Sequence, residues 1–264
     1  MLRAMTSDPL VAHATPPVPG PVPGRGSGEA AGGPAGVGQS DKSQAGTRRT
    51  GAAARRRERQ REIVEATRAL FDAREMRDAN IDDIARAVGV NRAIIYRHFA
   101  SKDELFALTL AEYLKELDQR LADVDDASRP APERLAAVAG AYADFCLQYP
   151  AFLDCALALL RQPGEYLLAE LSEAALQRVG RFMVAGLARI ADVLRAGTEA
   201  GDFAVEDADV TANMIYLQTL GALHIARSGF IVRDAGHGVP EVAPVDSDQF
   251  RGLVIRTCLA AARA

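Results

Sequence analysis

Residues 80–99 read NIDDIARAVGVNRAIIYRHF, and the rest of the chain is organised outward from them. Ile81, Ile84, Ala85 and Val88 recur at three- and four-residue spacing, the interval at which side chains share one face of a helix. Asn80 stands three residues before Asp83, where its side chain can cap the helix start. Gly89 breaks the pattern, Asn91 offers a second cap, and a second short helix is predicted to end at Phe99. Two short helices joined by a tight glycine-containing turn make a helix-turn-helix. Ile84, Val88, Ile95 and Phe99 supply its inner face, which leaves Asn91, Arg92, Ala93, Ile94, Tyr96, Arg97 and His98 to point elsewhere.

A helix about 12 Å across fits the major groove of B-DNA, with its N-terminal residues nearest the base edges. Ala93 is small enough for close approach, and Ile94 can pack on a thymine methyl group. Arg92 can reach guanine O6 and N7, or a phosphate. Tyr96 and His98 have the spacing for backbone phosphates.

On the N-terminal side, Ile63, Ala66, Thr67, Leu70 and Phe71 form the stripe of an amphipathic helix that can bury the motif's inner face. On the C-terminal side, Ser101-Lys102-Asp103-Glu104 is a capping box, with Ser at the N-cap and Glu at N3. It opens a longer helix whose buried stripe is predicted as Leu105, Phe106, Leu110, Tyr113, Leu117 and Leu121.

Gly89-Val90-Asn91-Arg92, Ile95-Tyr96-Arg97-His98-Phe99 and Ser101-Lys102-Asp103-Glu104-Leu105-Phe106, in this order after a basic helix, resemble the TetR family of transcriptional regulators. The resemblance covers roughly residues 57–108 at motif level. Two positions depart from the family pattern. Glu75 stands where glycine usually follows the first helix, so that turn is expected to differ locally. Asn80 replaces the usual Thr or Ser cap. The resemblance implies a homodimer that binds a pseudo-palindromic operator in double-stranded DNA and answers to a small-molecule effector. It also implies phosphate contacts from Tyr96, His98 and Lys102, and a C-terminal domain holding both ligand pocket and dimer interface.

Composition sets the domain plan. Residues 1–54 hold seven of the thirteen prolines and ten of the twenty-two glycines, with no aromatic residue and no isoleucine. Such a stretch cannot bury enough apolar surface to offset its ordering entropy, so a disordered tail is expected, ending in arginines 48, 49 and 55–57. Residues 55–108 form the expected DNA-binding domain and 109–264 a helical effector and dimerisation domain. The fold class is all-α, with about nine helices in total. Helices are predicted over about 132–149, 151–161, a long stretch after Pro163-Gly164, 206–228 and 246–264, with residues 229–245 as a loop.

The net charge of −4 hides an asymmetry. Residues 48–102 carry a net charge of +6, whereas 103–264 carry −10. A compact basic unit joined to an acidic remainder suggests one polyanion-binding module and one with a different task. No apolar run is long enough for a membrane span, and no signal-peptide pattern is seen, so no membrane association is expected. Cys146, Cys155 and Cys258 are an odd count in apolar surroundings, which favours a reducing cytoplasm over a disulfide framework.

Candidate pocket residues in the C-terminal domain are Tyr142, Cys146, Phe152, Cys155 and Met183, with Met214, Leu217 and His224 further on. Phe145, Phe182 and Tyr216 belong to the same aromatic and sulfur-rich set, which suggests an apolar effector. Each of these residues also reads as plain core. Val210, Met214, Leu217, Leu220, Gly221 and Ile225 form a stripe that is either a dimer face or intramolecular core. No phosphate-cradling loop, nucleophile elbow or metal-ligand spacing occurs, so no enzyme activity, cofactor or metal site is expected. A ligand-independent regulator, an activator and an architectural DNA-binding dimer remain open alternatives.

Overall fold

In the computed structural model, residues 40–74 and 80–263 are described, without the side chains of 40–50 and Arg74. Most of residues 1–54 and the turn containing Glu75 therefore lie outside the described residues. The first helix, α1, spans Ser40–Arg74, so it begins within the stretch expected to be a tail. Residues 52–58, AAARRRE, are all exposed. Alanine, arginine and glutamate favour helix intrinsically, so this part needs no buried face to be helical. Burial starts at Ile63 and Val64.

Helices α2 (Ile81–Val88) and α3 (Arg92–His98) follow the expected pattern closely. The Asn80 side chain accepts a hydrogen bond from the Asp83 amide, and the Asn91 side chain accepts one from the Ile94 amide. Gly89 turns the chain with φ of 70°, a left-handed conformation that costs a residue with a Cβ roughly 1 kcal/mol or more. Its neighbour closes the turn through a bond from the Val90 amide to the Ala85 carbonyl at 2.9 Å.

The remaining elements are α4 (Lys102–Val124), α5 (Ala131–Gln148), α6 (Pro150–Leu160), α7 (Gly164–Glu170), α8 (Glu173–Ala200), α9 (Ala208–Ser228) and α10 (Ser247–Ala261). That makes ten helices among the described residues. The long helix expected after Gly164 is two. Leu171 is extended, and Ser172 restarts the chain by capping the Ala175 amide through its side chain. Residues 229–245, expected as a loop, contain an antiparallel hairpin of β1 (Phe230–Asp234) and β2 (Pro240–Pro244). Its Phe-Ile-Val start suits a strand, and Gly236, His237 and Gly238 all take positive φ in the turn. Alternation failed as a signal because Phe230, Val232 and Val242 are all exposed.

Within Arg48–Ala264, α4 leaves the helix-turn-helix and packs along α8, while α5 packs against α10 and α8 against α9. The buried aromatic centre is Tyr113, Phe145 and Phe152, with the Phe145 and Phe152 rings edge-on at 5.2 Å. A polar clamp ties α1 to this centre. Arg68 pairs with Glu116 and lies over the Tyr113 ring at 4.3 Å, and the Tyr113 hydroxyl donates to Asp72. Burial of Glu116 is outweighed by hydrogen bonds from Arg68 and Tyr149, which hold its carboxyl below the usual range. No single helix among the described residues is long and apolar enough to cross a membrane.

Candidate nucleic-acid interface and effector cleft

The recognition surface is built on α3 by anchoring from behind. Ile95 and Phe99 are fully buried, which fixes the helix rotation and turns Asn91, Arg92, Ala93, Tyr96 and Arg97 outward. Ile94 and His98 are half-buried at the edges of that face. Two side chains of α1 hold the C-terminal end of α3. Gln60 donates to the His98 carbonyl at 2.7 Å, and Arg56 donates to the Arg97 carbonyl at 3.4 Å. These contacts satisfy carbonyls that a helix end leaves open. Gln60 does not stand out in the sequence, because it lies on a polar face with no periodic signature, and Arg56 reads only as part of the basic cluster 55–57.

Arg92 is not idle in the free protein. Its guanidinium lies 5.4 Å from the Tyr96 ring centre and 3.6 Å from the Asp82 carboxylate. Both partners are exposed, so the pairing is weak and exchangeable. His98 has a buried Nδ1 with no hydrogen-bond partner. Burial, then the charges of Arg56, Arg97 and Arg59, lower its pKa, so the imidazole is neutral near pH 7. A phosphate contact from His98 would thus be a neutral N–H donor contact. Lys102, the first residue of α4, is half-buried with its ammonium 4.9 Å from the Phe106 ring centre.

Glu104 links this surface to the join between α7 and α8. It is 5% exposed, and one carboxylate oxygen accepts from the Ala100 amide at 2.5 Å. The capping box thus reaches one residue further back than the usual return to the N-cap amide. The other oxygen accepts from the Ser172 hydroxyl, and the Ser101 hydroxyl donates to the Glu170 carbonyl at 3.0 Å. The N-termini of α4 and α8 are therefore clamped together beside the recognition helix.

Further along the same two helices lies a narrow apolar cleft, with a cavity volume of about 30 Å³. Leu114, Leu117 and Leu121 of α4 face Phe182, Met183 and Gly186 of α8 across it. Tyr142 of α5 and Tyr216 of α9 complete the wall, and Asp118 is its one charged residue.

Of the expected pocket residues, Tyr142, Phe182, Met183 and Tyr216 line this cleft. Cys146 and Phe152 do not line it and are buried in the core. Cys155 borders a separate crevice with Phe106 and Leu167. Met214, Leu217 and His224 are exposed on the outer side of α9. Helical periodicity correctly groups these last three, but it does not say which way the face points. All three thiols are buried and unbridged. Burial pushes Cys146 well above the ordinary thiol value and Cys155 up to about 12, so neither is a thiolate at neutral pH.

Comparison with known proteins places these features. The profile of bacterial regulatory proteins of the tetR family matches residues 63–109. The transcriptional repressor KstR2 of Mycobacterium tuberculosis is 35% identical over 77 residues, covering 29% of this chain and 38% of that protein. The transcriptional activator FasR of Mycolicibacterium smegmatis is 30% identical over 107 residues, covering 40% and 49% respectively. The matched region thus spans half or less of these relatives. The fold extends further. The regulator FadR of Bacillus subtilis, solved in complex with stearoyl-CoA, superposes with a TM-score of 0.54 at 15% identity, over 76% of this chain and 97% of that one. Residues 63–109 thus match the DNA-binding segment of bacterial regulatory proteins of the tetR family in sequence, and the helical body shares the fold of solved proteins of that family.

Proposed function

We propose that this protein is a DNA-binding transcriptional regulator, a repressor that sits on a pseudo-palindromic operator as a homodimer and leaves it when a small molecule enters the helical domain. Residues 55–108 are the DNA-binding part and 109–264 the effector and dimerisation part. The observation that carries the reading is the α3 surface. Arg92, Ala93, Tyr96 and Arg97 face outward from a helix anchored by Ile95 and Phe99. In this reading Arg92, Ala93 and Ile94 meet base edges, with Asn91 and Arg97 alongside them. Tyr96, His98 and Lys102 hold phosphates. The protein works where the chromosome is, in the cytoplasm.

Dimerisation is supported by the outer face of α9. Val210 is 59% and Met214 57% exposed, and Leu217 and Ile225 extend the same apolar strip. A contiguous apolar face on a monomer marks an interaction surface. For a dimer paired there, the operator half-sites are expected about 34 Å apart on one face of the duplex, the spacing typical of helix-turn-helix dimers.

The release mechanism follows from the helices shared by clamp and cleft. From Ser172 to Gly186 is about 21 Å along α8, at 1.5 Å per residue. A ligand that wedges α4 from α8 at the cleft acts on the Glu104–Ser172 clamp from that distance and shifts α3 with it. Such a ligand moves the equilibrium only by binding the DNA-free form better, so DNA must weaken ligand binding by the same factor. The name of FasR as an activator makes activation the second reading.

The test is selection of duplex DNA from a random pool by the purified full chain, followed by footprinting. Two protected half-sites per dimer on one face support the proposal. Uniform protection with no selected sequence overturns it in favour of an architectural role. A reporter driven from the selected site then distinguishes repression from activation.

A further inference from the structure

A hairpin has two free edges, and in the β1–β2 hairpin proline closes only one of them. The ladder is fixed by bonds from the Ala235 amide to the Val239 carbonyl and from the Val245 amide to the Gly229 carbonyl. Antiparallel pairs alternate between bonded and non-bonded, so Phe230–Pro244, Val232–Val242 and Asp234–Pro240 are the non-bonded pairs. The backbone groups of those residues point away from the other strand. On β2 two of the three are proline, which has no N–H, so that edge cannot extend the sheet. On β1 the amides of Phe230, Val232 and Asp234 all face outward.

The same pairs define a face. Paired residues share one side of the ladder, so Phe230, Val232, Val242 and the two prolines form an apolar face with Asp234 at its end. It is turned to solvent: Phe230 is 48%, Val232 66% and Val242 67% exposed. The other face carries Ile231 and Ala243, which are turned inward. Charge on the hairpin is Arg233 opposite Glu241, with Asp234 beside it. That is no basic cluster for a phosphate backbone or an anionic lipid surface.

Area argues for a second copy of this chain. One residue, Gly229, separates α9 from β1, so the exposed face follows directly on the apolar strip of α9. A stable dimer buries about 800 Å² on each partner. The largest side chains span about 250 Å², so Val210, Met214, Leu217 and Ile225, each near half exposure, offer at most roughly 500 Å². Phe230, Val232, Val239 and Val242 offer as much again.

Resting on the α9 dimer proposed above, we infer that the β1–β2 hairpin is a dimerisation arm, whose Phe230–Val232–Val242 face packs on a second copy of this chain with the open edge of β1 toward it. The prolines keep the β2 edge closed, so the assembly stops at two chains and does not grow into a sheet.

Sedimentation of the full-length protein over a concentration series tests this with Val232→Lys, Val242→Lys and, as a control, Leu168→Lys on α7, which is also exposed. Each hairpin variant is expected to raise the dimer Kd at least about tenfold, because it carries a charge into an apolar contact. Leu168→Lys is expected to leave the Kd unchanged. Melting temperatures at a concentration where the chains are separate should match the wild type, since the replaced side chains are exposed within one chain. Hairpin variants with the wild-type Kd, or an equal loss in Leu168→Lys, would overturn the inference. If a lysine variant fails to fold, Val232→Thr, which keeps the β-branched shape, decides by the same readout with a several-fold rise in Kd expected. Gly221→Leu in the same series separates the arm from the α9 dimer. Dissociation by Gly221→Leu but by neither hairpin variant leaves the α9 reading standing and removes the arm. Dissociation by the hairpin variants alone does the reverse, and a wild type that is monomeric at micromolar concentration removes both.

Discussion

At the scale of single residues, the proposed interface separates residues assigned to base reading from those assigned to phosphate anchoring. Arg92 is held by groups it can leave, an exposed carboxylate and an aromatic face, so it is free to turn toward DNA. If it then bonds guanine in bidentate fashion, Arg92→Ala should cost about 1–3 kcal/mol at particular base pairs and change the preferred sequence. Lys102→Ala should instead weaken all sequences alike and lower the salt slope by about one. Titrations on selected and scrambled duplexes across a salt series check both, and an equal loss on all sequences for Arg92→Ala would make it an anchor. His98 gives a pH signature. Its folded pKa lies below the ordinary 6.5, chiefly through burial, so the unfolded chain takes up the proton first as pH falls. Stability should decline as pH drops through about 6.5 and level off once below the folded value. Melting temperatures from pH 7.5 to 5.5 should therefore fall more for the wild type than for His98→Gln.

At the scale of elements, the join between α4 and α8 ties the start of α4, next to the helix-turn-helix, to the helical body. Ser172 is both the N-cap of α8 and a donor to the buried Glu104 carboxylate. Ser172→Ala should cost about 0.5–2 kcal/mol as a lost cap, with more from the carboxylate left short of a donor. Ligand and DNA should also become less coupled, measured as a smaller ratio of DNA affinities with and without saturating ligand. A variant that loses stability but keeps that ratio would show that the clamp is structural only. The helix-turn-helix was legible in the sequence because local signals agree there: Asn80 and Asn91 cap, Gly89 turns, and the apolar spacing is regular. The capping half of the Ser101–Glu104 box was legible too. Its second half was not, because Ser172 lies 68 residues from Glu104 and nothing local marks the contact. The break at Ser172 was hidden by apolar residues on either side of it that keep helical spacing across the interruption. The hairpin was hidden because only the Ile231–Ala243 pair is turned inward, too little to produce alternation. Among the cleft residues, Tyr142, Phe182, Met183 and Tyr216 were readable as apolar candidates, but Gly186 and Asp118 were not, since a glycine inside a helix and a carboxylate on one look like packing and solvent exposure.

At the scale of the whole molecule, the unresolved choice in the sequence was whether the α9 stripe is core or interface. The structure divides it: Leu220 is buried, whereas Val210, Met214, Leu217 and Ile225 are exposed. Gly221 lies on the exposed side, and an added Cβ would meet nothing within 4 Å in a single chain. That gives the proposed dimer a test in which two effects have opposite signs. Within one chain, Gly221→Leu replaces a poor helix former with a good one and clashes with nothing, so it should stabilise the monomer by up to about 1 kcal/mol. Between two chains crossing at this glycine, the same side chain blocks the close approach and should dissociate the dimer. The wild type should show a melting temperature that rises with protein concentration, as expected when folding and association are linked. The variant should lose that dependence, sediment as a monomer at micromolar concentration, and bind one half-site no worse while losing its preference for two. Leu217→Lys should also separate the chains, by placing a charge in the interface, without the gain in helix propensity. A Gly221→Leu protein that remains dimeric with unchanged operator affinity would move the interface away from α9 and leave its exposed apolar strip for a different partner.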